Sequence, residues 1–128
     1  IMPCFEIVDS RIDDGKIKIQ DTIADNASCG IFVLGEGAVS PNQFAMDELE
    51  VEVFKNEELL SSGKGSAVQG HPAEAVAWLA NTLGVYDIPL LTGEFILSGS
   101  LVPLEPAQAG DKFRMNLKGV GTCEINFI

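Results

Sequence analysis

Basic residues are scarce in this chain: 8 Lys and Arg stand against 19 Asp and Glu in 128 residues, a formal net charge of −11. Such a chain repels phosphate backbones, so nucleic-acid binding is disfavoured. Anionic membrane surfaces are disfavoured for the same reason. Long apolar runs are missing too. No stretch approaches the roughly twenty residues that span a bilayer, and no basic-then-apolar leader opens the chain. Cysteine is sparse: Cys4, Cys29 and Cys123 show no Cys-x-x-Cys spacing, which argues against a structural zinc site. All three lie in apolar surroundings, where a free thiol packs as a small hydrophobe, and a reducing cytoplasm fits that usage. His71 is the only histidine. Gly-x-Ser-x-Gly is absent, so no catalytic triad is suggested. Gly63-Lys64-Gly65-Ser66 lacks the earlier glycine of a Walker loop; these glycines are expected to let a strand end turn closely against its neighbours.

What is present is an ordinary soluble composition, 46% hydrophobic and 21% charged, of a length that suggests one domain over residues 1–128. The chain opens on Ile1, directly inside a strand-like run over 1–8, which reads as a fragment or a truncated gene. Lys16-Ile17-Lys18-Ile19 alternates as a short exposed strand would, and 21–28 reads as a polar turn or a helical turn capped by Asp21 or Asp25. A buried strand is expected over 30–34. Leu49, Val51 and Val53 alternate with acidic residues and turn back through Asn56-Glu57 into a hairpin. Residues 72–83 make a helix, started by Pro72, closed by Gly84 in the left-handed conformation, with Val76, Leu79, Ala80 and Leu83 as its apolar stripe. A short strand is expected at 95–97. A final hairpin joins 113–117 to 123–127, and Pro103 and Pro106 keep the segment before it out of regular sheet.

Three places can carry chemistry. Glu6 is a carboxylate within a strand that reads as apolar on both sides, and burying it requires a partner. An ion pair with Arg11 or a lysine meets that need more simply than a metal, since Mg²⁺ or Mn²⁺ wants several oxygen ligands. Asp25-Asn26-Ala27-Ser28 packs a carboxylate, an amide and a hydroxyl into four residues, suited to a small polar substrate or, equally, to a cap or turn. Ser98-Gly99-Ser100 places two hydroxyls at a strand end, to hold a carboxylate or merely to stop the strand.

Four stretches, 3–11 (Pro-Cys-Phe-Glu-Ile-Val-Asp-Ser-Arg), 16–30, 70–84 and 97–106, together resemble the 2-keto-4-pentenoate hydratases (2-hydroxypenta-2,4-dienoate hydratases) of the fumarylacetoacetate hydrolase superfamily. The resemblance runs end to end but covers about the C-terminal half of such an enzyme. It implies an α+β, mostly β fold, a mixed β-sandwich roll with one substantial helix. It implies a divalent cation, Mg²⁺ or Mn²⁺, held by three glutamates, of which Glu6 is the third; a Glu-x-Glu pair and a catalytic lysine and aspartate belong to the other half. It also implies that Ser28 and Asn26 act at the reacting centre and that Ser100 and Ser98 bind substrate. The activity implied is hydration of 2-hydroxypenta-2,4-dienoate to 4-hydroxy-2-oxopentanoate in the meta-cleavage breakdown of aromatic compounds, by a cytoplasmic homo-oligomer, with the isolated chain inactive. The related 4-oxalocrotonate decarboxylases are one alternative; a non-catalytic, self-associating β-rich module is another. Two departures stand out: Asp14-Gly15-Lys16 where the family commonly has Asp-Trp-Lys, and Asn56-Glu57 where it commonly has Asn-Gly.

Overall fold

Alternation of apolar and polar residues builds the centre of the molecule. In the computed structural model, which describes residues 1–12 and 16–128, Leu49, Val51 and Val53 are buried while the acidic residues between them face outward. They lie in and just before β3 (Glu50–Lys55), which pairs antiparallel with β4 (Glu58–Lys64) and with β5 (Lys112–Leu117); β5 then pairs with β6 (Gly121–Asn126). The resulting four-stranded sheet has the order β4-β3-β5-β6. Its inner face carries the core of Leu49, Val51, Val53, Phe113 and Leu117. Phe113 meets Phe5 and Phe127 edge-on, with ring centroids 6.5 and 5.7 Å apart. Full burial of such a side chain is worth about 1.5–3 kcal/mol, so this cluster is the main source of cohesion.

The β3–β4 turn is Asn56-Glu57, both at positive φ (49° and 70°), the conformation of a tight type I′ hairpin turn. Asn56 fits it well. Its amide donates to Asp111 Oδ1 at 3.0 Å, and its own Oδ1 accepts the Lys112 N–H at 2.9 Å. Lys55 completes this knot with an ion pair to Asp111 at 2.9 Å. At the other end of β4, a side chain on Gly63 or Gly65 would collide with the carbonyl oxygens of Leu101 and Met46. The glycines therefore serve close packing, as their sequence suggests.

A second, two-stranded sheet pairs β1 (Cys4–Val8) with β2 (Cys29–Leu34). It joins the larger sheet where Glu36 bridges Thr122, with N–H···O distances of 2.7 and 3.1 Å. Helix α2 (Pro72–Gly84) is the substantial helix. The His71 ring accepts the Ala73 N–H at 3.1 Å and Pro72 fills the first turn.

Several local expectations are corrected. Residues 16–18 form no strand: Asp21 accepts the Lys18 N–H at 3.0 Å and starts a short helix, α1 (Ile19–Ala24), so local capping overrides the alternation. Strand β2 is not buried, since Ile31 and Phe32 are 61% and 44% exposed. Gly84 stays helical, and the left-handed residue lies later, at Asp87 (φ 56°). No strand forms at 95–97, where the backbone finds no ladder between Gly93 and Gly99, both at positive φ. The Asp14-Gly15 departure lies outside the described residues. Among the described residues, no helix is long and apolar enough to cross a membrane.

Candidate active site

Between β1, the inner face of the large sheet, α2 and the segment 96–107 lies a cavity of about 1350 Å3. Aliphatic and aromatic groups such as Val53, Phe113 and Val76 make most of its wall. Its polar groups are few: the carboxylates of Glu6, Asp9 and Glu105 and the hydroxyls of Ser61, Ser98 and Ser100. A mainly apolar pocket with a few placed polar groups is the usual form of a small-molecule site.

Glu6 sits in the middle of β1, opposite Phe32. Its side chain is exposed at the cavity rather than buried, which corrects the premise that it lies in a two-sided apolar strand. Arg11 does not pair with it; that guanidinium is spent on Asp25. Among the described residues Glu6 enters no ion pair. Burial, with the Glu6 carboxylate beside it, pushes the Cys29 thiol up. A carboxylate at a cavity wall with the Cys29 thiol beside it and, among the described residues, no ion pair suits one oxygen ligand of a hard cation. The described residues hold no group of three His, Cys, Asp or Glu able to bind a metal, so a cation here needs further ligands from elsewhere.

Ser98 and Ser100 reach the same cavity. The Ser100 hydroxyl donates to its own turn, to the Val102 carbonyl at 2.6 Å, which leaves only its lone pairs for another partner.

Ser28 and Asn26 lie beside this wall and do not line it. They belong to a turn in which Asn26, Ala27 and Ser28 all have positive φ (50°, 54° and 59°). Three successive non-glycine residues in the left-handed region cost roughly 1–2 kcal/mol each. The buried Asp25 carboxylate holds the turn: it accepts the Ser28 hydroxyl at 2.8 Å and Arg11 Nε at 2.5 Å. Arg11 also donates to the carbonyls of Asp25 and of Cys29, the latter at 3.0 Å. Arg11 first, then Ser28, hold the Asp25 carboxyl below the usual carboxylate range. Ionised Asp25 accepts the hydrogen bond from the Ser28 O–H, so Ser28 offers only lone pairs to anything else. The turn is tied to the cavity wall through the Asp9 N–H, which donates to the Ser28 carbonyl at 2.8 Å. Sequence reasoning grouped Asp25 with Ser28 but missed Arg11 as its clamp. The signal was present in two opposite charges at 11 and 25, each at one end of the β1–β2 connection.

This is an α+β, mostly β fold with a concave, mainly apolar cavity. The chain belongs to the fumarylacetoacetate (FAA) hydrolase C-terminal family, which it matches over residues 2–128. It is 61% identical over 127 residues to a 2-hydroxyhexa-2,4-dienoate hydratase of Comamonas testosteroni, and 42% identical over 127 residues to a 2-keto-4-pentenoate hydratase of Paraburkholderia xenovorans. Each match covers 99% of this chain but 48% and 47% of those proteins, so the chain spans about half the length of the relatives it matches. The solved 4-oxalocrotonate decarboxylase of Pseudomonas putida G7, complexed with magnesium and adipate, has a TM-score of 0.94 at 34% identity, again over 99% of this chain and 48% of its own. The mixed β-roll expected from the resemblance is therefore the fold observed.

Proposed function

We propose that these 128 residues form the C-terminal half of the catalytic domain of a metal-dependent hydro-lyase. It adds water to 2-hydroxypenta-2,4-dienoate, or a close homologue, to give 4-hydroxy-2-oxopentanoate in the meta-cleavage breakdown of aromatic compounds. The observation that carries this reading is the 61% identity, held over 127 residues, to a dienoate hydratase. The convergence of Glu6, Ser98 and Ser100 on one cavity supports it.

In this reading Glu6 supplies one oxygen ligand to a divalent cation, Mg²⁺ or Mn²⁺, and the remaining ligands come from outside the chain. The cation supplies positive charge that favours the oxygens of the substrate's carboxylate and 2-oxy group. The chain's own residues do the rest. The apolar wall takes up the hydrocarbon end and limits free water. Ser98 and Ser100 bind the substrate. Ser28, held by Asp25 with its proton turned inward, accepts a hydrogen bond from water or from a substrate hydroxyl. Asn26 presents its amide from the strained turn beside it. A homo-oligomer fits the exposed Phe32, Trp78, Tyr86 and Leu104, and the free thiols fit a cytoplasmic setting.

A decarboxylase reading rests on the TM-score of 0.94 with the 4-oxalocrotonate enzyme. The 61% identity to a hydratase against 34% to that enzyme favours hydration. The test joins this chain to the remaining half of the Comamonas testosteroni hydratase and follows dienol consumption with Mn²⁺. Turnover that is lost in Glu6→Ala is the expected result; turnover that survives it overturns the ligand assignment. The chain alone should neither turn over substrate nor bind Mn²⁺ at micromolar levels by calorimetry. Carbon dioxide release from 4-oxalocrotonate in place of hydration would select the decarboxylase. An inert joined protein would leave the non-catalytic module.

A further inference from the structure

Strand β4 carries one residue more than its partner. Val53 lies opposite Ser61 and Phe54 opposite Leu59, so Leu60 is extra, a β-bulge. Bulges re-aim side chains and gather next to active sites. Directly opposed residues share a face of the sheet, and Val53 faces the core and the cavity. Ser61 is thus a polar residue at a core-facing position, and it too lines the cavity. Its hydroxyl is the one buried side-chain N or O among the described residues that lacks a hydrogen-bond partner. A buried hydroxyl left without a partner forfeits its hydration for nothing, which is why nearly all such groups are paired.

We infer that Ser61 is a ligand-binding residue, whose hydroxyl turns about its single side-chain torsion into the cavity and donates to an oxygen of a bound small oxo-acid. This rests on reading the cavity as the substrate site. The carboxylates on the wall, Glu6, Asp9 and Glu105, only accept when ionised, and the Ser100 proton is committed to Val102. An anionic ligand needs donors: Ser98 offers one from the loop, and Ser61, buried and without a partner, offers one from the sheet.

Two measurements decide it. In urea unfolding of the chain itself, Ser61→Ala should leave the midpoint unchanged or raise it, because it deletes an unmet group. A lowered midpoint, as for a hydroxyl with a structural partner, overturns the inference. In the joined hydratase, Ser61→Ala should raise KM for the dienoate about tenfold, the worth of one hydrogen bond, with kcat held within about twofold. Ser62→Ala on the exposed face is the control and should change neither quantity. An unchanged KM in an active Ser61→Ala enzyme overturns the inference while the hydratase reading stands. If the unsubstituted joined protein is inactive, it is the hydratase reading that fails, and the inference falls with it.

Discussion

The two sheets of this molecule bury their side chains in opposite ways. In the β4-β3-β5-β6 sheet, Val51, Val53, Phe113 and Leu117 are at most 7% exposed and cover one another. In the β1–β2 sheet and on α2, residues just as apolar stand open: Ile31 is 61% exposed and Trp78 61%. One region holds the buried core, with Phe5 of β1 packed onto it; the other ends in apolar surface. The difference teaches where the site's rigidity comes from. The cavity lies against the large sheet that carries the buried core, while Glu6 and the Asp25–Ser28 turn sit on the sheet that leaves apolar surface open.

The sharpest way to break this contrast is truncation on each side. Phe113→Ala removes a ring held between Phe5 and Phe127 and should cost about 3–5 kcal/mol in urea unfolding. Trp78→Ala, on the open side, should stay within about 0.5 kcal/mol for the monomeric chain. Equal effects from the two would show that the open surface is covered within a single chain, and the contrast would fail.

Glycines test it at the level of close packing. Gly65→Ala drives a methyl into the Met46 carbonyl and should destabilise by about 1–3 kcal/mol, as overpacking does. Gly84→Ala meets nothing within 4 Å and has helical geometry. It should stabilise α2 by about 0.5–1 kcal/mol. Circular-dichroism melts should give the two substitutions opposite signs.

The same contrast governs what was legible in the sequence. Elements that bury one face of themselves announce it by period: the β3–β4 and β5–β6 hairpins were readable from alternation and turn residues. Helix α2 was readable from its proline start and apolar stripe, although none of its residues is buried. Elements whose apolar residues face outward mislead. Ile31 and Phe32 read as core because hydrophobicity alone cannot tell a covered surface from one awaiting a cover. The run at 95–97 reads as a strand because the absence of a ladder partner is a tertiary fact. Glu6 is the instructive site residue. Its position in β1 was legible, but its exposure was not, because that depends on what lies beyond Phe32 and Cys29 across the small sheet. The Arg11–Asp25 clamp likewise needed the β1–β2 connection to fold back before the two charges could meet. Ser61 gives no sequence signal beyond being polar opposite Val53.

Acid titration compares the two regions through one buried carboxylate in each. Arg11 holds Asp25, and Lys55 holds Asp111, below the ordinary value of 3.8. A carboxyl whose folded pKa is depressed adds stability above its unfolded pKa and loses it as pH falls through the folded value. Urea midpoints should therefore drop below about pH 4, near the ordinary Asp range. Asp25→Asn and Asp111→Asn should each flatten that drop. Comparing each variant with the parent cancels the general relief of repulsion that a net charge of −11 brings on acidification. If only Asp111→Asn flattens the curve, the Asp25 turn unfolds separately from the main sheet, and the two regions are energetically distinct.

An effect as small as that of Gly84→Ala is expected at the hairpin turn. Glu57 holds φ at 70°, where a side chain costs roughly 1–2 kcal/mol. Glycine removes that cost and returns about 0.5–1 kcal/mol through the entropy of the unfolded chain. Glu57→Gly should thus stabilise by about 0.5–1 kcal/mol on balance, read as a raised urea midpoint with unchanged slope. Asn56 keeps its bonds to Asp111 and Lys112 in the variant, so the β3–β4 register has no reason to shift. A midpoint that does not move would mean that turn strain is already relieved, and that buried Val51 and Val53, not the turn, set the pairing that carries Ser61 to the cavity.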